Sequence, residues 1–130
     1  MKIMLAYNRS DAAQDALQLA IAHGRAFKAS VLVVTAMEGG PAVSREHFAR
    51  AERELRFAEN ELKGADVPCE THLVVMDGSP AETLLSFARK NKVDEIIMGV
   101  QKRSRVGKLL LGSTAQFLIL NADCPVVTIK

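Results

Sequence analysis

The hydrophobic positions of the chain alternate between two kinds of pattern. Short, nearly continuous apolar runs occupy Lys2 to Tyr7, Val31 to Met37, Thr71 to Met76, Val93 to Met98 and Pro125 to Ile129, several of them rich in β-branched residues. Runs of this length predict strands covered on both faces, as parallel sheets are. Between them the apolar residues recur every three or four positions, the period of a helix packed on one side.

The first helical stretch carries Ala13, Ala16, Leu17, Ala20, Ile21 and Phe27 on one face, and its alanines let it lie close to a sheet. Ser10 is placed to cap it, Asp11 and Asp15 suit the positive end of its dipole, and Gly24 suggests a weakened end. The second, Ser44 to Lys63, is highly charged, with a narrow apolar stripe of Phe48, Ala51, Leu55, Ala58 and Leu62. Glu46 with Arg50, Glu52 with Arg56, and Glu59 with Lys63 are spaced for favourable i,i+4 pairs. The stripe is too short for a coiled coil and reads as a solvated helix lying on a sheet. Ser79-Pro80-Ala81-Glu82 is a helix start with a cap, a proline in the first turn and a glutamate three residues after the serine. Leu84, Leu85 and Ala88 supply that helix's buried face and Asn91 a stop. A last helix spans Ser113 to Asn121, with Ser113 and Gln116 placed as a capping box.

The predicted order is β-α-β-α-β-α-β-α-β. Strict alternation with short connections predicts a five-stranded parallel, doubly wound sheet with helices on both faces. Residues 1–130 are expected to form a single domain, with no internal repeat or linker. In such sheets ligands bind outside the carboxyl ends of the strands, where strand order reverses. The loops starting at Asn8, after Met37 and after Met98 are the candidates.

Composition narrows the picture. A formal net charge of +2 creates no global field that demands nucleic acid. No apolar run approaches the roughly 20 residues that span a bilayer, so no membrane association is expected. The start, MKIMLAYNRSD, is charged but has too short an apolar run for a signal peptide, so the cytoplasm is the expected compartment. Cys69 and Cys124 form no CxxC and read as ordinary thiols. His23, His47 and His72 lack metal-ligand spacing, and no metal site is assigned. Met4, Met37, Met76 and Met98 sit near strand ends and read as core, although the last three are also placed to line a ligand pocket.

The chemistry concentrates between Asp94 and Ser113. There a buried strand runs into a loop with Gly99, Gly107 and Gly112 and with the cations Lys102, Arg103, Arg105 and Lys108, ending at a helix mouth. No acidic residue occurs from Ile96 to Ala122, a one-signed field that favours an anion. Backbone N–H groups at such a mouth can hold phosphate. Aromatic residues are only 5% of the chain and none lies in this loop, which argues against single-stranded nucleic acid. No nucleophile sits beside a base, so no catalytic residue is assigned; Asp77, after the third strand, is the carboxylate considered for approach to the site.

Over essentially its full length the chain resembles the universal stress protein family. The family's nucleotide binders carry Gly, two residues, Gly, nine residues, then Gly-Ser or Gly-Thr. Here the pattern runs Gly99, two residues, Lys102, nine residues, Gly112-Ser113. Ala6-Tyr7 with Ser10 resembles the family's first strand and turn, Gly78-Ser79-Pro80 its Gly-x-Pro helix start, and Cys124-Pro125-Val126-Val127 its final strand. The resemblance implies a Rossmann-like, adenine nucleotide alpha hydrolase-like fold and a site for ATP or AMP, with magnesium as an optional companion. The implied nucleotide-binding set is Ala6, Tyr7, Asn8, Ser10, Ala36, Met98, Gly99, Lys102, Arg103, Gly112, Ser113 and Thr114. Within it Gly99, Gly112, Ser113 and Thr114 match the phosphate- and ribose-holding segment, and Ala36 the adenine-lining position.

Three departures stand out. Lys102 replaces the motif's middle glycine, where it either fills the phosphate space or pairs with the phosphates. Asn8 replaces an aspartate, removing a carboxylate that would suit magnesium. Arg9 replaces the glycine usual after it. Three readings follow: a cytoplasmic nucleotide-binding stress-response switch, a nucleotide-independent member acting through dimerisation and an unknown protein partner, and a slow ATP or AMP hydrolase. A homodimer is implied through the apolar C-terminal edge strand, Val126, Val127, Thr128 and Ile129.

Overall fold

The computed structural model describes residues 1–7, 11–41, 43–100 and 111–130. The elements follow the predicted alternation: β1 (Lys2–Ala6), α1 (Ala13–Phe27), β2 (Ser30–Met37), α2 (Arg45–Gly64), β3 (Cys69–Val75), α3 (Pro80–Asn91), β4 (Glu95–Gly99), α4 (Ser113–Asn121) and β5 (Val126–Ile129). The strands form one sheet in the order β3-β2-β1-β4-β5, and every neighbouring pair is parallel. The chain therefore winds outward from β1 through β2 to β3, then returns to the other side of β1 for β4 and β5. The reversal lies between β1 and β4, the crevice where doubly wound sheets take their ligands.

Two apolar layers sandwich the sheet. On one face Ile3, Leu5, Val31, Val33 and Ile97 pack under α1 and α2, through Ala16, Leu17, Ala20, Leu55, Ala58 and Leu62. On the other, Met4, Ala6, Leu32, Val34, Ile96 and Met98 pack under α3 and α4, through Leu84, Leu85, Ala88, Ala115 and Leu118. Alternate residues of each strand thus serve opposite faces, as the pleat requires. β5, at the sheet's edge, is only half-buried.

Local expectations hold unevenly. The start of α3 forms as predicted: Ser79 Oγ accepts from Glu82 N at 3.1 Å with Pro80 behind it. Ser44 caps α2 by accepting from His47 N at 3.1 Å, and Glu59–Lys63 closes at 3.0 Å. The cap of α1 falls on Ala12, whose methyl offers no acceptor; Ser10, expected there, lies outside the described residues. Gly24 does not weaken α1. The helix continues past it to Phe27, and a Cβ at Gly24 would come within 2.7 Å of Val67 Cγ1. The glycine is there so that α1 can lie close against the α2–β3 connection. Phe27 and Phe48, placed on buried faces by periodicity, are 50% and 41% exposed, because each lies at a helix end that overhangs its layer. The capping box at Ser113 does not form. Ser113 is the first helical residue, Gly112 occupies the cap position, and Gln116 Nε2 donates to the Leu111 carbonyl at 2.7 Å.

Candidate functional site

β1 and β4 run side by side as far as Ala6 and Met98. Beyond that point their backbones part. Tyr7 N donates to the Val34 carbonyl of β2 at 2.9 Å, whereas Val100 N donates to the Ile129 carbonyl of β5 at 2.7 Å. Each strand end turns toward its outer neighbour, so the divergence opens the sheet at the reversal of strand order. A cavity of about 580 Å³ lies at this carboxyl end, within the range of small-molecule sites.

Strand ends make its floor: Ala6 and Tyr7 from β1, Val34 to Met37 from β2, and Met98 from β4. Met76, Pro80 and Leu84 close the side toward α3, and Thr114 closes it at the mouth of α4. The remaining wall is α2 and the turn before it, with Val43, Ser44, His47, Ala51 and Glu54. Met37, Met76 and Met98 meet in this one cavity, where three polarisable thioethers suit the face of a planar ring. Polar groups ring them. Thr35 Oγ1 is already spent on the Tyr7 carbonyl at 3.0 Å and Ser44 Oγ on the α2 cap. Burial raises the Tyr7 phenol above its ordinary pKa; the Gln14 side-chain hydrogen bond opposes this, and the charges of Glu54 and Glu61 add to it. Tyr7 therefore stays a neutral hydroxyl well into alkaline solution. Among the described residues no side chain caps α4, whose cap position is held by Gly112, so its first-turn N–H groups are placed to meet solvent or a ligand.

Of the residues singled out from sequence, Ala6, Tyr7, Ala36, Met98 and Thr114 line the cavity. Gly112 and Ser113 stand beside it as the cap and first residue of α4. Gly99 has a packing role: a Cβ there would lie 2.8 Å from the backbone carbon and oxygen of Ala12, so the first turn of α1 needs a glycine beneath it. Asn8, Ser10, Lys102 and Arg103 lie outside the described residues, as do Arg9, Arg105, Gly107 and Lys108. Asp77 is not part of the cavity lining; its backbone N–H is held by Thr83 Oγ1 at 3.2 Å. The carboxylates on the wall are Glu38 and Glu54, which sequence reasoning passed over, as it did His47. Ser44, His47, Ala51 and Glu54 follow one another every three or four residues along one edge of the core stripe of α2, which includes Ala51, and this spacing was the available signal. Among the described residues no group of three or more His, Cys, Asp or Glu side chains could hold a metal ion.

The fold and the cavity define a doubly wound α/β protein with a ligand pocket at the reversal of its sheet. The profile of the universal stress protein family matches residues 1–130. A universal stress protein of Thermus aquaticus is 37% identical over 134 residues, covering 98% of this chain and 97% of the relative. A solved universal stress protein from Archaeoglobus fulgidus superposes with a TM-score of 0.87 at 31% identity, over 99% of this chain and 97% of that one. A second structure from that organism, a universal stress protein in complex with dAMP, gives 0.80 at 27% identity, over 99% and 96%. The chain belongs to the universal stress protein family. No helix among the described residues is long and apolar enough to cross a membrane.

Proposed function

We propose that this chain binds an adenine nucleotide, ATP or AMP, in the cavity at the β1–β4 divergence, and acts through that binding as a cytoplasmic stress-response switch. The observation that carries the reading is the convergence of Met37, Met76 and Met98 with the uncapped mouth of α4 on one cavity of about 580 Å³. A base would lie against the thioethers, with Ala36 and Val34 beneath it. The ribose would face Thr114 and the phosphates the N–H groups at Gly112 to Ser113, with Lys102 and Arg103, which lie outside the described residues, as the cations that the sequence offers them. The relative in complex with dAMP, similar over nearly the whole of both chains, supports the same ligand class. Magnesium would be held mainly by the phosphates, since it keeps most of its waters and takes few protein oxygens.

Calorimetric titration with ATP and AMP, with and without magnesium, tests the reading once the protein is freed of any co-purified nucleotide. Micromolar binding that is lost in Gly112→Val is the expected result. Binding by Lys102→Gly but not by the parent would show that the lysine closes the site, and would move this chain to the nucleotide-independent reading. We further propose a homodimer through β5, whose outer edge has no partner among the described residues. Sedimentation at micromolar concentration is expected to show a dimer, and a monomer alone would refute it.

A further inference from the structure

Beside Tyr7, between α1 and α2, lies a second, open cleft of about 300 Å³ lined by Tyr7, Gln14, Arg50, Arg53, Glu54 and Phe57. Tyr7 and Glu54 line both spaces, so the two adjoin across that pair. The cleft is built from donors. Arg50, Arg53 and Phe57 stand on successive turns of α2, and neither arginine forms an ion pair among the described residues. Tyr7 is only 5% exposed, and its hydroxyl accepts from Gln14 Nε2 at 2.9 Å. That bond uses the oxygen as acceptor and leaves the O–H proton with no acceptor among the described residues. Burial keeps this proton in place, because it raises the phenol above its ordinary pKa. Glu54 has an interaction of its own, and the charges of Glu54 and Glu61 both act on the Tyr7 phenol, so the cleft sets two guanidinium groups and a protonated hydroxyl beside carboxylates rather than in a one-signed field.

We propose that this cleft is a phosphate-binding site, with the guanidinium groups of Arg50 and Arg53 and the Tyr7 hydroxyl as its donors. Guanidinium forks match phosphate geometry, and a buried phenol held from one side by an amide is a pre-oriented third donor. The phosphate has two possible sources. One is a free inorganic anion. The other is a second phosphate on a ligand whose adenylate occupies the main cavity, and only this source rests on the nucleotide reading above. Phe57, 46% exposed beside Arg53, offers a face for a second ring in that case.

Three probes separate the outcomes: inorganic pyrophosphate, AMP and diadenosine tetraphosphate. Each is titrated into the full chain and into the Arg50→Gln/Arg53→Gln double variant, with the arginine Nε–H signals followed by NMR. Both arginines are exposed and line only the second cleft, so the variant is expected to fold and to bind AMP as the parent does. Pyrophosphate is expected to shift the Arg50 and Arg53 signals and to bind at least tenfold more weakly to the variant. A dinucleotide that binds the parent at least tenfold better than AMP, with the advantage gone in the variant, assigns the site to a ligand's second phosphate; equal binding of the two assigns it to a free anion. Unmoved arginine signals, with parent and variant binding pyrophosphate and the dinucleotide alike, would overturn the proposal. Loss of AMP binding by the parent would refute the nucleotide reading alone, since the pyrophosphate arm stands without it.

Discussion

The two ends of the sheet are built on opposite principles. At the amino end, strand starts are tied to their neighbours. Lys2 N donates to Asp94 Oδ2 at 2.7 Å, and Asp94 N donates to the Lys2 carbonyl at 2.7 Å. Ser30 N reaches the Met1 carbonyl, Val31 N that of Pro68, and Ile96 N that of Pro125. Even the carboxylate of Glu95, 8% exposed, meets His23 Nδ1 at 2.7 Å. At the carboxyl end, the backbones of β1 and β4 separate after Ala6 and Met98 and leave a cavity. The same two strands are thus closed and satisfied at one end and open at the other. Stability is expected to reside in the first, and ligand binding in the second.

Substitutions can break that division, and the largest effect belongs between the two ends. Ile97→Ala removes a fully buried side chain under α1 and is expected to cost about 2–5 kcal/mol in chemical denaturation. A cost below about 1 kcal/mol would mean the layer collapses around the gap. Gly99→Val should come next, at about 1–3 kcal/mol, because its Cβ meets the Ala12 backbone and α1 has to move. At the closed end, His23→Ala leaves the Glu95 carboxylate without the partner seen here, a loss of about 1–3 kcal/mol expected in stability with nucleotide affinity unchanged. An equal loss of affinity would show that the two ends are coupled.

The smaller effects sharpen the comparison. α3 ends on Lys92 in the left-handed conformation at φ 52°, a strained place for a side chain on the way into β4. Lys92→Gly is expected to raise stability by up to about 1 kcal/mol, read as a higher denaturation midpoint. The smallest effect is alkaline. Tyr7 keeps its proton in the fold at a pH where the unfolded chain has begun to lose it, near 10.0. The unfolded state then binds fewer protons, so this contribution to stability is complete below that pH and is lost as pH rises through the raised value. Tyr7→Phe should flatten the alkaline slope of the stability curve relative to the parent.

These asymmetries were legible in the sequence to different degrees. The β4 run was readable because its apolar residues are continuous and bounded by Asp94 and Gly99. The start of α3 was readable because Ser79 and Pro80 signal locally. The sheet order had to come from the parallel pairing itself. The α2 wall was harder. A charged helix with an apolar stripe shows which face meets the sheet, but not that the residues flanking the stripe overhang a cavity. His47 and Glu54 became site residues only because the β2–α2 crossover carries the start of the helix over the strand ends. Asp77 misled for a more local reason: Met76 before it and Pro80 after it line the cavity, yet Asp77 itself does not, and its backbone N–H is held by Thr83 Oγ1. Gly99 and Gly24 show a further limit, since a glycine needed for close packing has the same letter as one needed for a ligand.

The most direct test of the cavity as the ligand site is titration of AMP into the parent and into Ala36→Phe, with the stability of each measured alongside. Ala36 lines the cavity floor and is half-buried, so a phenyl ring there would occupy ligand space with little disturbance of the core. The expected result is micromolar binding by the parent, at least tenfold weaker binding by Ala36→Phe, and stabilities within about 1 kcal/mol of each other. Equal AMP affinities in two equally stable proteins would place the nucleotide elsewhere and contradict the assignment of this cavity.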